Sequence, residues 1–495
     1  MEVLATPAEV EAWDRFRTLP VGERDGCLFL RRFWNRRAAA SASDVDRRIL
    51  EHYRRLRHAL EVYRRRGRVR PRFSVRLGRP ANSVFDDRGL LYVRMGDPGD
   101  TAATAGGPCI EPNVSWAYRR PDGDRIYHLS SLGGADDWYV LENLAMAYRC
   151  TARDGIPSAG VSPLLIDIPP NVLYDLYSSR MGLDPDYARV ANLGLNLIGD
   201  TFRARVVQAL QGERDRTWSD MEYAVATVPE RPGVRPAVDF ALEWITFRAP
   251  RPELTRVWLN GMVDAKELSA SVRDGREMYR VHLVWTLLDA DETGFRRLPV
   301  TFEVPRDTAV SGDPTLFVRV PVDLEPGEYA WTLMVAADDS GEPSGADGGD
   351  PPDGGYARGR LVVRDMGGGV PLLSDVAVSP DSSGTWSPTE GVRLGPRPGH
   401  ETGPDGIAFI YLEAYNLSPD GDYEARVRLE SLDGTGTFDL SYPGTAAGRR
   451  GLPPGVLRVD LSDSEPGRYR MTVTVRDLAT GLSTLPARTE LRVVR

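Results

Sequence analysis

Residues Val322–Asp338 read VDLEPGEYAWTLMVAAD, and residues Val459–Asp477 read VDLSDSEPGRYRMTVTVRD. Glu325-Pro326-Gly327 and Glu465-Pro466-Gly467 align at a separation of 140 residues. After each turn apolar residues alternate: Tyr329, Trp331, Leu333 and Val335 in the first copy, Tyr469, Met471, Val473 and Val475 in the second. A period of two is the pattern of a strand with one buried face, and the Pro-Gly pair sets the turn that enters it. Each copy closes on a similar strand, GRLVVRD from Gly359 and TELRVVR from Thr489.

A repeat of this length is too long for a solenoid unit and fits two tandem β modules. The turn entering an aromatic strand predicts two immunoglobulin-like β-sandwiches, over 237–365 and 366–495. Two turn-rich stretches, Asp338–Gly359 and Ser379–Gly406, read as long loops within them.

Upstream the pattern changes. Thr6, Pro7 and Glu9 form a helix start of capping-box type. Ile49, Tyr53, Leu56, Leu60 and Tyr63 recur at helical spacing and predict one apolar stripe, with arginines on the opposite face. "GLLYVRMG" (Gly89–Gly96) reads as a short strand between turns, and "VSWAYRR" with "RIYHLSSL" as a hairpin across Pro121–Asp124. "WYVLENL" and "PLLIDIPP" continue as strand-like segments. A second helical stretch follows from about Asp184 to Gln211, and "VPERPGVRP" reads as a linker. The expected organisation is an α+β domain over 1–170, a helical connector over 171–236, and the two β modules.

A chain of 495 residues exceeds one ordinary core, and 41% hydrophobic with 27% charged residues fits a soluble globular protein. The net charge of −9 is unevenly spread. Leu28–Pro80 holds 17 Arg against two Asp and two Glu, a balance of +13 that leaves −22 for the rest. Lys266 is the only lysine, a uniform bias that speaks of base composition more than of function. Cys27, Cys109 and Cys150 allow at most one bridge. The N-terminus shows neither the basic nor the apolar part of a signal peptide, and no apolar run reaches membrane-spanning length.

The five histidines are too scattered for a zinc site, and no nucleophile elbow, phosphate loop or dinucleotide fingerprint occurs. His52 reads as a packing residue, and Asp136-Asp137 as a turn leading into a strand. No cofactor or metal is expected. The arginine concentration raises the alternative of nucleic-acid or anionic-surface binding through the N-terminal helices.

The order of N-terminal elements resembles the bacterial GWxTD-domain family. Phe33 and Trp34, His52 and Tyr53, Asp87, Arg88 and Gly89, Gly96 and Pro98, and Trp116 and Tyr118 match its successive elements. "LLSDVAV" and "FIYLEAYNL" are similar to strands of its last domain. At the name-giving motif Ser83, Val84 and Asp86 replace the family's Gly, Trp and Thr. The resemblance implies an envelope or periplasmic location and carries no established activity.

The expected function is therefore non-enzymatic: binding or scaffolding of another protein at the cell envelope. The candidate ligand or motif residues are Phe33, Trp34, Tyr53, Asp87, Arg88, Gly89, Gly96, Pro98, Trp116 and Tyr118. The runner-up is a hydrolase of envelope glycans using carboxylates near Asp86–Asp100.

Overall fold

The computed structural model describes residues 3–20, 25–66, 84–104, 109–120, 123–131, 137–148, 168–196, 200–264, 268, 270–273, 275–305, 315–337, 352–382, 384, 386–389, 392–434, 436–445 and 456–494. Of "PLLIDIPP" (163–170), residues 163–167 lie outside them, and Pro170 opens a helix.

Among the described residues four helices open the chain: α1 (Pro7–Thr18), α2 (Gly26–Ala40), α3 (Val45–Val62) and α4 (Asp87–Met95). At α1 the Thr6 hydroxyl accepts from the Glu9 amide while the Glu9 carboxylate accepts from the Thr6 amide, the reciprocal cap its sequence predicts. A four-stranded antiparallel sheet follows in order β1 (Asp100–Thr104), β2 (Asn113–Tyr118), β3 (Arg125–Ser131), β4 (Trp138–Val140). The β2–β3 hairpin pairs Trp116 with Tyr127 and Ser115 with His128. One face of this sheet, through Trp116, Tyr118 and Tyr127, packs on α4 and the N-terminal helices. The other, through Ala117 and Ile126, packs on α5 (Pro170–Ser178), α6 (Asp186–Asn196) and α7 (Asp200–Ala226).

Two expectations here need correction. Gly89–Gly96 belongs to a helix, α4, and not to a strand. Asp86 caps it and Gly96, at φ +84°, ends it. Leu90, Leu91, Tyr92, Val93 and Met95 are all buried, so the segment is apolar on every side and shows neither period. The apolar stripe of α3 is also turned. Tyr53 and Leu60 are exposed, whereas Arg48, His52 and Ala59 are buried.

From residue 235 onward the regular elements among the described residues are all strands. β5 (Arg235–Pro236), β6 (Phe240–Arg248), β7 (Thr255–Asp264), β8 (Ala270–Arg273), β9 (Arg276–Asp289), β10 (Phe295–Pro305), β11 (Thr315–Leu324), β12 (Gly327–Ala337) and β13 (Asp353–Val363) form two sheets. One runs β10-β9-β12-β13-β5 with β8 on β9; the other runs β11-β7-β6. The last region holds β14 (Leu372–Leu373), β15 (Ala377–Ser379), β16 (Ile407–Tyr411), β17 (Ala414–Tyr415), β18 (Asp422–Ser431), β19 (Thr437–Thr445), β20 (Val456–Asp460), β21 (Gly467–Asp477) and β22 (Ala487–Val493). These divide into sheets β14-β17, β15-β16-β20 and β19-β18-β21-β22.

The expected immunoglobulin-like sandwiches are not met. Among the described residues, the α+β N-terminal region is followed by several open sheets, none closed into the barrel or sandwich such a fold requires. The physical reason is that alternation specifies which face of a strand is buried and leaves its pairing partners open. What the repeat does specify is a corner. In both copies the Glu-Pro-Gly turn carries the chain from one sheet to another, β11 to β12 and β20 to β21. Gly327 and Gly467 take positive φ there, and the Tyr329 and Tyr469 hydroxyls donate to the Glu325 and Glu465 carbonyls four residues back.

The stretch Ser379–Gly406 is more than a loop. It places Trp386 in a buried cluster with Phe247, Trp258 and Tyr411, ring centroids 5.6–5.9 Å apart along its contacts. Phe247 and Trp258 come from the first β region, so this cluster joins the two.

Candidate functional site

Asp86, Asp87 and Arg88 sit together at the N-terminus of α4, whereas Asp97 and Asp100 lie beyond its other end, paired with Arg54 and Arg119. The Asp86 carboxylate accepts from the Gly89 amide (3.1 Å), from Arg88 Nε and Nη2 (2.9 and 2.6 Å) and from the Trp138 amide (3.2 Å). Asp87 is buried and accepts from the Val140 amide at 2.9 Å. The two carboxylates thus cap a helix and pin β4 to it. The Arg88 guanidinium lies 4.5 Å from the Trp138 ring and 5.2 Å from that of Tyr63, which meets Trp116 edge-on at 5.7 Å. Burial raises the Asp86 pKa against the opposing pull of Arg88 and of the Gly89 and Trp138 amides.

At the other end of α4, the Gly96 carbonyl accepts from the Tyr118 hydroxyl (3.2 Å). A Cβ on Gly96 would stand 2.8 Å from Arg55 Cζ, and one on Gly89 would stand 2.7 Å from Phe85 Cβ. Both glycines are there for close approach. Pro98 is half-buried in the turn that follows. Phe33 is buried and meets Trp34 edge-on (5.1 Å), and Trp34 lies 5.6 Å from His52. Of the ten flagged residues, Tyr53 stands apart: 60% exposed, it faces outward from α3.

A second cluster escaped sequence reasoning. Ser115 Oγ lies 2.6 Å from His128 Nδ1, and His128 Nε2 lies 2.9 Å from Glu213 Oε1 and 3.0 Å from the Tyr187 hydroxyl. Tyr177 donates to Glu213 Oε2, and the Leu144 amide to Glu213 Oε1 (2.9 Å). Arg180, fully buried, donates from Nε to Ser115 Oγ (3.0 Å) and also reaches Thr104, Ser179 and Asn113. Burial lowers its pKa to about 10 and drives the Tyr177 and Tyr187 hydroxyls well up. The serine–imidazole–carboxylate order has the connectivity of a nucleophile, a base and its orienting acid. Here, however, Ser115 and His128 are enclosed between sheet and helices, and the buried Arg180–Glu213 charges balance. The network is mutually satisfied, as a specificity element of a core must be. Only the cross-strand pairing of Ser115 with His128 was visible in sequence, through the hairpin register; Glu213 and Arg180 arrive from distant helices.

The arginines form a third feature. The Pro229–Arg231 linker is clamped by them. Arg48 Nη2 meets Glu230 Oε1 at 2.9 Å, Arg37 Nε stands 3.5 Å from the same oxygen, Arg120 donates to the Pro229 carbonyl, and Arg358 to the Glu230 carbonyl (3.0 Å). Burial would raise the Glu230 pKa, but Arg48 and Arg37 outweigh it and hold it below the ordinary value. Arg94 is buried and donates to the carbonyls of Ala224, Val225 and Thr227, closing the C-terminus of α7. Of the basic stretch, Arg68, Arg70, Arg72, Arg76 and Arg79 lie outside the described residues. Asp136 does too; Asp137 is buried and accepts from the Arg66 amide at 2.6 Å. Among the described residues no group of three or more His, Cys, Asp or Glu is placed to hold a metal ion. Nor is any described helix long and apolar enough to cross a membrane.

No family model matches the chain, so no GWxTD domain is evidenced. No curated protein matches either. A solved structure with partial likeness is a calcium-binding mutant of Bacteroides uniformis beta-glucuronidase 2, 12% identical, with a TM-score of 0.16. The match covers 48% of this chain and 26% of that one, and at such a score it carries no argument about fold or activity.

Proposed function

We propose that this protein is a non-enzymatic binding or scaffolding protein, one that holds its regions in fixed relation so that their surfaces meet another protein together. The observation that carries this reading is the interlocking of the regions. Asn35 of α2 donates to the Glu292 and Thr293 carbonyls (3.0 and 3.2 Å), Arg36 pairs with Glu292, and the buried Thr286 hydroxyl donates to the Ala39 carbonyl (3.0 Å). Between the β regions, Asp375 accepts from the Thr246 amide (2.9 Å) and hydroxyl, and Tyr415 accepts from the Arg248 amide (2.8 Å). The Trp386 cluster seals the same junction. Charged and aromatic side chains are spent on posture, as a platform requires.

The carboxylates of Asp86 and Asp87 are engaged by Arg88 and by backbone amides, which favours this reading over a glycan hydrolase. The pairing of Arg37 and Arg48 with buried glutamates favours it over nucleic-acid binding. The test is photo-crosslinking in the native cell, fractionated by compartment, from probes at exposed sites on each region. One stoichiometric protein adduct, mapped to contiguous residues, is the expected result. Recovery of nucleic acid in its place, or turnover of a glycan substrate by the purified chain that Asp87→Asn abolishes without unfolding it, would overturn the reading.

A further inference from the structure

The inner face of α3 carries buried donors that have no partner. Arg48, His52 and Arg55 follow one another at helical spacing, the first two only 2% and 4% exposed. Arg48 gives Nη2 to Glu230, and its Nε and Nη1 are buried with nothing to bond. Arg55 gives Nε to Glu51 (2.6 Å), and its Nη1 is buried and unpaired. His52 lies ring to ring with Trp34, and its Nδ1 is likewise buried without a partner. Native structures rarely leave one such atom unsatisfied, and here four share one helix face.

Charge sharpens the case. Around the Pro229–Arg231 linker Arg37, Arg48, Arg94 and Arg120 are all buried, against the buried carboxylates of Glu9 and Glu230. Arg94 and Arg120 donate to backbone carbonyls and to the Tyr223 hydroxyl, and neither has a carboxylate partner among the described residues. Burial lowers the Arg48 pKa; Glu230 opposes this, and Arg55 and Arg37 add to it. Burial, with the charges of Arg48, Arg55 and Arg37, brings the His52 pKa down to about 4. The four side chains thus share one field. A water molecule would satisfy the donors and leave the excess charge, whereas an anion answers both.

One further atom narrows the chemistry. Glu230 Oε1 accepts from Arg48, and Glu230 Oε2 is buried without a donor. A carboxylate only accepts, so it repels an anion that has no proton to offer. Phosphate keeps a hydroxyl near neutral pH, and sulfate does not. We propose that α3 and the Pro229–Arg231 linker hold one inorganic phosphate ion between them. Its oxygens accept from Arg48, from Arg55 and from a neutral His52 carrying its proton on Nδ1, and its hydroxyl donates to Glu230 Oε2. The ion ties α3 to the segment that leads from α7 into the first β region. This inference stands apart from the protein-binding reading above and does not depend on it.

The test counts the phosphate released when the purified full chain is denatured in acid. The chain freed of phosphate by dialysis is then titrated calorimetrically with sodium phosphate at constant ionic strength. One phosphate per chain, released or taken up, is expected, with a thermal midpoint that rises with phosphate. Sulfate binds at least about tenfold more weakly, because it sets a bare oxygen against Glu230 Oε2. That comparison uses the wild-type chain and stands whatever the variants do. Arg55→Gln leaves Glu51 held by Arg54 through two hydrogen bonds, and His52→Phe keeps a ring against Trp34; circular dichroism checks that each folds. Each variant lacks one donor to a charged group and binds phosphate about tenfold more weakly. Neither release nor uptake of phosphate overturns the proposal and leaves these donors to water. Equal affinity for sulfate overturns it, as does a midpoint shift that both variants keep in full, the mark of a general salt effect. A phosphate monoester such as phenyl phosphate binding as tightly as the free ion assigns the site to a larger ligand and overturns the free-ion assignment.

Discussion

At the scale of single residues, this protein places charge and glycine where few substitutes fit. Gly96 combines a positive φ with a guanidinium, that of Arg55, where a Cβ would stand. Gly96→Ala is expected to cost about 1–2 kcal/mol or more, read as a lowered denaturation midpoint. Glu230 neutralises Arg48 and faces Arg37, both buried. Glu230→Gln leaves Arg48 uncompensated, while Arg37 keeps its pair with Glu9, and should destabilise by about 3–5 kcal/mol in urea unfolding. Asp220 behaves oppositely. Burial pushes its carboxyl up to about 6, although Arg125 at 3.2 Å pulls the other way. The folded state therefore holds this proton more tightly than the unfolded one. Stability from this group falls as pH rises from about 4 to about 6 and stays lower above that. Asp220→Asn should stabilise the protein by about 1–2 kcal/mol at pH 8 and flatten that part of the stability profile; an unchanged profile would show that Arg125 compensates the carboxylate fully.

At the scale of elements, the lesson lies in α3 and α4. The spacing in α3 identifies a helix correctly and orients it wrongly. Its inner face meets Glu230, the Gly96 turn and Trp34, so Arg48 is drawn inward by an ionic partner and His52 by ring packing, neither of which local pattern can show. In α4 a run of consecutive apolar residues fits a strand or a buried helix equally well, and the Asp86 cap with the Gly96 stop decides for helix. Asp86→Ala removes the cap, the Arg88 pair and the acceptor for the Trp138 amide together. A loss of about 2–3 kcal/mol is expected, with faster amide exchange in both α4 and β4. Exchange confined to α4 would mean that Asp87 alone holds β4. The β corners tell the other half. Tyr329 and Tyr469 make the same backbone contact 140 residues apart, so the repeat was legible, while the pairing order of the surrounding strands was not.

At the scale of the whole molecule, the junction between the β regions depends on a few side chains far apart in sequence. Trp386→Ala empties the centre of the aromatic cluster and should cost about 3–5 kcal/mol. Its signature is a single calorimetric transition splitting in two as the regions uncouple. His400 adds a pH dependence: it meets Glu243 of the first β region and Thr489 of the second. Burial would lower its pKa, but Glu243 outweighs that and raises it. The stabilisation is thus fully present below the ordinary histidine value and is lost as pH rises through the raised one. His400→Gln should abolish that loss, lowering stability at acidic pH and leaving it unchanged at high pH in urea unfolding.

The sequence by itself determined the elements whose information is local. The capping box at Thr6, the β2–β3 hairpin and the two Glu-Pro-Gly corners each rest on residues within a few positions of one another. Tertiary structure alone decided which face of α3 is buried, how the strands pair into open sheets, and that Ser115, His128, Glu213 and Arg180 meet. Those outcomes depend on partners up to hundreds of residues away, and a periodic pattern records only that a side chain is apolar, never what stands opposite it.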